Sequence, residues 1–171
     1  EFDTDTIPEY EQLAKTGMPV NATMMVDGTL YASTLDSASG LSDLYTVDPT
    51  TFAMTKVGGS ESIGYLDMAY APHLGCGLGV YYGYIVLIDL ETGEYTGAWE
   101  WVGDVASDLV GITYCGSEFN SYYDAYMDYF LILDRDGGVY LEAFMYDGSD
   151  YGFFKGPAAG YVKNIGDPVD Y

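Results

Sequence analysis

Positive charge is scarce in this chain. Its 171 residues include 5 Lys and Arg together against 27 Asp and Glu, a formal net charge of −22. Such a surface repels phosphates and supplies no cationic contacts to them, which excludes nucleic-acid binding and adsorption to anionic lipid. There is one histidine, His73, and no G-x-S-x-G elbow. A Ser-His-Asp or Cys-His centre would therefore rest on that single ring. His73 sits in Ala71-Pro72-His73-Leu74-Gly75, a turn after a strand, and reads as structural. With only Cys76 and Cys115 the chain is not a disulfide scaffold. No apolar run approaches the roughly 20 residues that span a bilayer, so membrane insertion is not expected. No basic segment followed by an apolar one opens the chain either. The first residues, EFDTDT, read as the start of a mature or excised segment.

Apolar residues make up 49% of the sequence, enough for a folded domain with a core despite the charge. Tyr is the dominant aromatic, 19 residues against 7 Phe and 2 Trp. That suits half-buried strands in which the ring packs and the hydroxyl reaches water.

The most ordered stretch is Tyr84 to Trp101, YIVLIDLETGEYTGAWEW. A short apolar run rich in β-branched residues is followed by a turn at Glu91-Thr92-Gly93, then by an alternating segment, which together predict a hairpin. Similar hairpins are predicted at Leu44 to Val57 and Tyr129 to Met145, each with a first strand ending in an aspartate: Asp48, Asp89 and Asp134. These aspartates lie 41 and 45 residues apart. Further strands are expected at Val20–Val26 and Thr29–Leu35 in the first unit, Tyr65–Ala71 and Leu78–Tyr82 in the second, and Leu109–Cys115 and Tyr122–Met127 in the third.

Four short strands repeated at roughly 40 to 50 residues are the signature of propeller blades. The reading is an all-β, β-propeller-like chain of about three four-stranded antiparallel blades plus a partial fourth. A leader over 1–18 would pack on the domain's edge, and units would cover about 19–60, 61–106, 107–150 and, in part, 151–171. Three blades do not close a ring, so the chain is expected to be an arc of a longer protein. Each unit buries its faces only against neighbours, which predicts self-association or association with the missing blades.

The stretches Leu44-Tyr45-Thr46-Val47-Asp48-Pro49-Thr50 and Val86-Leu87-Ile88-Asp89-Leu90-Glu91-Thr92-Gly93-Glu94 resemble the blade repeats of extracellular YVTN/PQQ-like propellers of bacteria and archaea. The Tyr-rich, acidic character is most similar to blades of large surface proteins of anaerobic Gram-positive bacteria. The resemblance covers about residues 19 to 165 and implies a secreted or cell-surface location. Its motifs are turn grammar, and the third unit departs from them with Asp134-Arg135-Asp136-Gly137-Gly138. Propeller sialidases, by resemblance, hold the substrate carboxylate with several arginines. Arg135 is the only arginine here, which argues against that activity.

The candidate sites are few. Trp99, Trp101, Tyr81, Tyr82, Tyr122 and Tyr123 could form a sugar-stacking platform or pack between blades. Asp134 and Asp136 open like a calcium loop, but Gly138 and Met145 stand where an EF-hand needs an oxygen ligand and a glutamate. Calcium could still be held by loop carboxylates such as Asp147 and Asp150. Cys76 and Cys115 could form a disulfide between adjacent units or remain free thiols. Asn21-Ala22-Thr23 is a glycosylation sequon, meaningful only in a eukaryotic secretory setting. No cofactor is implied. The expected function is a non-catalytic structural or ligand-presenting module of an extracellular assembly. Glycan binding is the alternative, and glycoside hydrolysis, which needs a placed carboxylate pair, a second one.

Overall fold

The computed structural model describes residues 15, 17–35, 41–58, 62–81, 83–100, 109–149, 152–155 and 160–164. Among them are fourteen strands and no helix. The first sheet orders β1 (Val20–Val26), β2 (Thr29–Leu35), β3 (Leu41–Val47) and β4 (Met54–Lys56), with β5 (Ser62–Ile63) also on β3. The second orders β6 (Asp67–Ala71), β7 (Cys76–Tyr81), β8 (Tyr84–Ile88) and β9 (Tyr95–Glu100). The third orders β10 (Leu109–Asn120), β11 (Ala125–Asp134), β12 (Gly138–Ser149) and β13 (Gly152–Lys155), with β14 (Gly160–Asn164) also on β12. All pairings are antiparallel. The opening strands lie side by side, β1 against β6 and β6 against β10. The fold is thus all-β and β-propeller-like, with three blades.

Stacking of the sheets explains the apolar run that dominates the sequence. Side chains alternate across a strand, and both faces of the middle sheet are covered. Ala69, Leu78, Val80, Ile85 and Leu87 join Ile112, Phe130, Ile132 and Phe144 of the third sheet in one core. On the other face Met68, Val86 and Ile88, with Tyr65, meet Ala22, Met24 and Leu44 of the first sheet. A strand with one solvated face would alternate apolar and polar, whereas β8 is buried at Ile85, Val86, Leu87 and Ile88 alike. Hydrogen bonds lock the blades at their opening strands. Asn21 Nδ2 donates to the Tyr65 carbonyl at 2.6 Å, and Asp67 Oδ2 accepts the Ile112 amide at 2.9 Å.

Two of the three expected turns share one geometry. Asp48 Oδ1 accepts the amides of Thr50 and Thr51, and Asp89 Oδ1 those of Glu91 and Thr92, all at 2.6–2.9 Å. The fifth residue donates its amide to the aspartate carbonyl and takes positive φ, 75° at Gly93 and 58° at Phe52. The same five-residue form recurs on β10–β11. Asn120 Oδ1 accepts the amides of Tyr122 and Tyr123, and Asp124 carries φ 53°.

The third repeat aligns differently from the expectation. Asp48 and Asp89 end the third strands of their sheets, but Asp134 ends β11, the second strand of its own. Its 45-residue offset arises because β10 and β11 run to 12 and 10 residues, where β6 and β7 have 5 and 6. The stretch Tyr122–Met127, expected as one strand, is divided between the turn and the start of β11. Strand β14, within the 151–171 stretch expected as a partial fourth unit, pairs with β12 beside β13, on the edge of the third sheet. In the first sheet β4 and β5 divide the edge of β3 in the same manner. Of the expected leader over 1–18, only Lys15, Gly17 and Met18 fall within the described residues.

Two outcomes follow from this packing. A Cβ on Gly79 would stand 2.8 Å from a ring carbon of buried Tyr65, between the first two blades. Gly79→Val is therefore expected to destabilise the chain by about 1–3 kcal/mol in a urea titration. The Thr51 amide, then the Thr50 amide and the Thr51 hydroxyl, hold the Asp48 carboxyl below its ordinary 3.8. A carboxylate lowered in the folded state stabilises above the ordinary value and loses that contribution as pH falls through the folded one. Asp48→Asn should accordingly flatten the acid limb of the stability profile, seen as a smaller fall in Tm below about pH 4.

Candidate functional site

In an antiparallel meander alternate turns fall at the same end, so β1–β2, β6–β7 and β10–β11 turn together, as do β3–β4 and β8–β9. Between the three opening strands at that end lies a groove of about 460 Å³. Its walls are Met24, Met25 and Asp27 of the first blade, Met68, Ala69, Tyr70 and Pro72 of the second, and Ile112, Thr113 and Tyr114 of the third. No Lys or Arg lines it, and Asp27 is its one carboxylate. Asp27 sits with Gly28 in the two-residue β1–β2 turn, at φ 47° and 83°, values that an Asp-Gly pair adopts in a hairpin of this hand. Burial raises the Tyr70 phenol above its ordinary 10.0, and Asp27, Cys76, Asp128 and Tyr31 add to the effect. Tyr70 is thus a neutral hydroxyl set among acidic groups of all three blades.

Beside the groove the long β10–β11 hairpin carries aromatic side chains to its tip. Tyr122 is 86% exposed, and Phe119, Tyr123, Tyr126 and Tyr114 are each exposed as well. They are ordered against one another: Phe119 meets Tyr126 edge to face at 5.4 Å, and Tyr122 meets Tyr123 at 4.8 Å. The His73 ring, from the β6–β7 turn of the second blade, stacks flat on Tyr126, 4.2 Å between centroids and 8° between planes.

One buried carboxylate holds this arrangement. The β6–β7 turn, Ala71 to Gly75, has the five-residue form, with the Gly75 amide on the Ala71 carbonyl and Gly75 at φ 69°. It has alanine where the other turns have Asp or Asn, so no local side chain caps the amide of its third residue. Asp128 of β11 does so from the next blade: its Oδ2 accepts the His73 amide at 2.9 Å. Its Oδ1 lies 2.8 Å from His73 Nδ1 and also accepts the Ser117 hydroxyl, which in turn is bonded to the Tyr114 hydroxyl. Asp128 is fully buried, while His73 retains 38% of its side-chain exposure. Serine and histidine both point at the aspartate; the serine is not aligned on the histidine. This arrangement orients an imidazole and a hairpin, and differs from the relay in which histidine takes the serine proton.

Of the aromatic residues singled out in the sequence, the described ones fall at two ends of the fold. Tyr122 and Tyr123 reach the exposed tip, whereas Tyr81 ends β7 at the opposite end of its blade, half-buried. Tyr82, Trp101 and the side chain of Trp99 lie outside the described residues. Asp134 is buried, its carboxylate accepting the Gly138 amide at 2.7 Å and the Tyr140 hydroxyl at 2.9 Å, while Asp136 is exposed in the adjoining turn. Asp150 and the side chain of Asp147 are outside the described residues, and the described ones include no cluster of three or more His, Cys, Asp or Glu suited to a metal ion. Cys76 and Cys115 are free thiols, not a disulfide. Cys76 is held against the core between the second and third blades, while exposed Cys115 turns to the Thr113 carbonyl of its own strand.

The sequence reading missed His73–Asp128, Tyr114, Phe119 and Tyr126. A signal was present in Asn120-Ser121-Tyr122-Tyr123-Asp124, which has the amide-capping head residue of Asp48 and Asp89 at the same spacing. A second was Asp128, a carboxylate in the interior of β11, whose apolar run otherwise meets an acid only at its end, Asp134.

No protein-family model matches the chain, and no curated protein matches it. Among solved structures, the crystal structure of BamB from Moraxella catarrhalis is similar at a TM-score of 0.37 and 12% identity, over 83% of this chain and 51% of that one. The chain thus spans about half the length of that structure.

Thiol reactivity tests the placement of the cysteines. Burial, with Asp128 and Asp89 adding to it, pushes the Cys76 thiol up from 9.0 to about 12. A thiol-disulfide reagent at about pH 8 should therefore modify Cys115 alone, with Cys76 reacting only after denaturant unfolds the blades. An acid whose folded value is raised keeps its stabilising effect below the unfolded value and loses it as pH rises toward the folded one. Chains with Cys76 should accordingly lose more Tm than Cys76→Ala chains between pH 9 and about 12.

Proposed function

We propose that this chain is a non-catalytic interaction module, presenting one end of a β-propeller-like arc to a partner protein. The observation that carries the reading is the β10–β11 hairpin, whose Phe119, Tyr122, Tyr123 and Tyr126 side chains are exposed beyond the groove that its Tyr114 lines. Exposed aromatics grouped on a rigid support are typical anchors of protein interfaces. Their support is the capped turn at Asn120 and the Asp128–His73 link to the second blade. The reading includes no cofactor and no hydrolytic step, in keeping with Ser117 and His73 both converging on Asp128. We place the module in a secreted or cell-surface assembly, where neighbouring blades of a longer chain or further copies would cover the outer sheets. The same exposed rings suit stacking on a sugar, which makes glycan binding the second reading.

A photo-crosslinking amino acid at Tyr122, compared with one at Asp136 on the opposite end, distinguishes these readings in cells that produce the protein. The expected result is a discrete protein adduct from the Tyr122 position and none from Asp136. Adducts at both positions or at neither would overturn the assignment to this end. Retention on a glycan array, lost on Tyr122→Ala, together with no protein adduct, would replace the partner protein by a sugar.

A further inference from the structure

We propose that the groove between the three opening strands receives an arginine side chain of the partner protein. This deepens the interaction reading and rests on it.

The lining has the two parts that such a side chain needs. Met25 and Pro72, exposed at the rim, offer apolar surface to the methylene stem, above the buried Met24, Met68, Ala69 and Ile112. Asp27 supplies a carboxylate for the head, and the Tyr70 and Tyr114 rings supply faces on which a planar guanidinium can stack. The exposed Met25 thioether can adapt to an irregular guest. The volume, about 460 Å³, falls within the ~300–1,000 Å³ of small-molecule pockets and leaves room for an arginine head and stem.

Charge complementarity selects a cation. No basic residue lines the groove, so a positive guest meets no like charge from its walls. Burial is the main cause of the upward displacement of Tyr70, and Asp27 of the first blade and Asp128 of the third add to it in the sense that favours a cation nearby. The chain's net charge of −22 adds a long-range attraction for a basic partner. A carboxylate guest would find no cation, and a purely apolar one would leave Asp27 facing it. Arginine is favoured over lysine because its guanidinium is planar and more weakly hydrated, and so loses less on entering a half-apolar groove.

The test uses an acetylated, amidated glycine-arginine-glycine peptide, its citrulline counterpart and N-acetylarginine methylamide, each followed by NMR titration in about 0.15 M salt. Saturable shifts at Tyr70, Tyr114 and Ala69 are expected with the arginine peptide and not with citrulline. Asp27→Asn, which keeps a residue tolerant of positive φ, should weaken binding about five- to tenfold. Asp136→Asn removes the same charge from the opposite end and should change it less than about twofold.

Equal losses in the two variants would mean attraction to overall charge and overturn the site. Equal affinity for N-acetylarginine methylamide and the peptide would make the occupant a small cation and overturn its assignment to the partner protein. If the arginine peptide does not bind while Tyr122 still crosslinks a partner, the arginine assignment falls and the interaction surface stands. If neither occurs, both fall.

Discussion

A β-sheet has two faces and cannot bury both by itself. Everything distinctive about this chain follows from how its middle sheet meets that constraint. Leu78, Val80, Ile85 and Leu87 are buried only because Phe130, Ile132 and Phe144 stand opposite them. Met68, Val86 and Ile88 depend in the same way on Met24 and Leu44. The two interfaces are built differently. Toward the third blade β7 presents Leu78 and Val80, while toward the first it presents Gly77 and Gly79, leaving room for the Met24 thioether and the Tyr65 ring. Large residues on one blade and absent side chains on the next give a close fit at interior density. Each such fit ties the blades into a cooperative pair, as in other stacked-repeat architectures.

The second constraint is that backbone donors at turns require acceptors. Where the head residue is Asp48, Asp89 or Asn120 the turn satisfies itself. Where it is Ala71 the acceptor comes from Asp128, in the neighbouring blade. That substitution has a consequence beyond the turn. Capping the His73 amide requires β11 to pass close to the second blade, and His73 then stacks on Tyr126 at the base of the aromatic tip. The placement of the hairpin is thereby coupled to a hydrogen-bond requirement of a different blade. Fully buried Asp128 serves as cap, imidazole partner and serine acceptor together. A group with three roles in a low-dielectric setting is costly to replace.

How much of this was legible in the sequence depended on the range of the interaction. The β8 hairpin, the Asp48 and Asp89 turns and the all-β class are set by local grammar: an apolar run, an amide cap and a residue at positive φ. They could be read directly. Asp134 misled because its spacing matched a blade period, although the offset came from two lengthened strands and not from a repeated turn. The site was harder to see, because His73 and Asp128 are 55 residues apart and meet only when two blades stack. The aromatic platform drawn from the sequence combined Tyr81 with Tyr122 and Tyr123, residues that the strand order sends to opposite ends. Composition recorded many tyrosines; only strand register determines which of them share a surface.

The joint placement of groove and hairpin bears on how an acidic protein can recognise anything selectively. Surface carboxylates in water attract cations weakly and without discrimination, because solvent and salt screen them. Selectivity requires a carboxylate beside apolar walls, where the field is less screened and shape matters. Asp27, itself exposed, stands at the mouth of the groove with Met25, Pro72 and the Tyr70 and Tyr114 rings, on the blade end from which the aromatic hairpin projects. In the proposed mode of binding, the overall charge gathers basic partners, the aromatic tip anchors them, and the groove distinguishes among them. That division assigns a separate physical task to each of three features that composition alone would have merged into one acidic, tyrosine-rich surface.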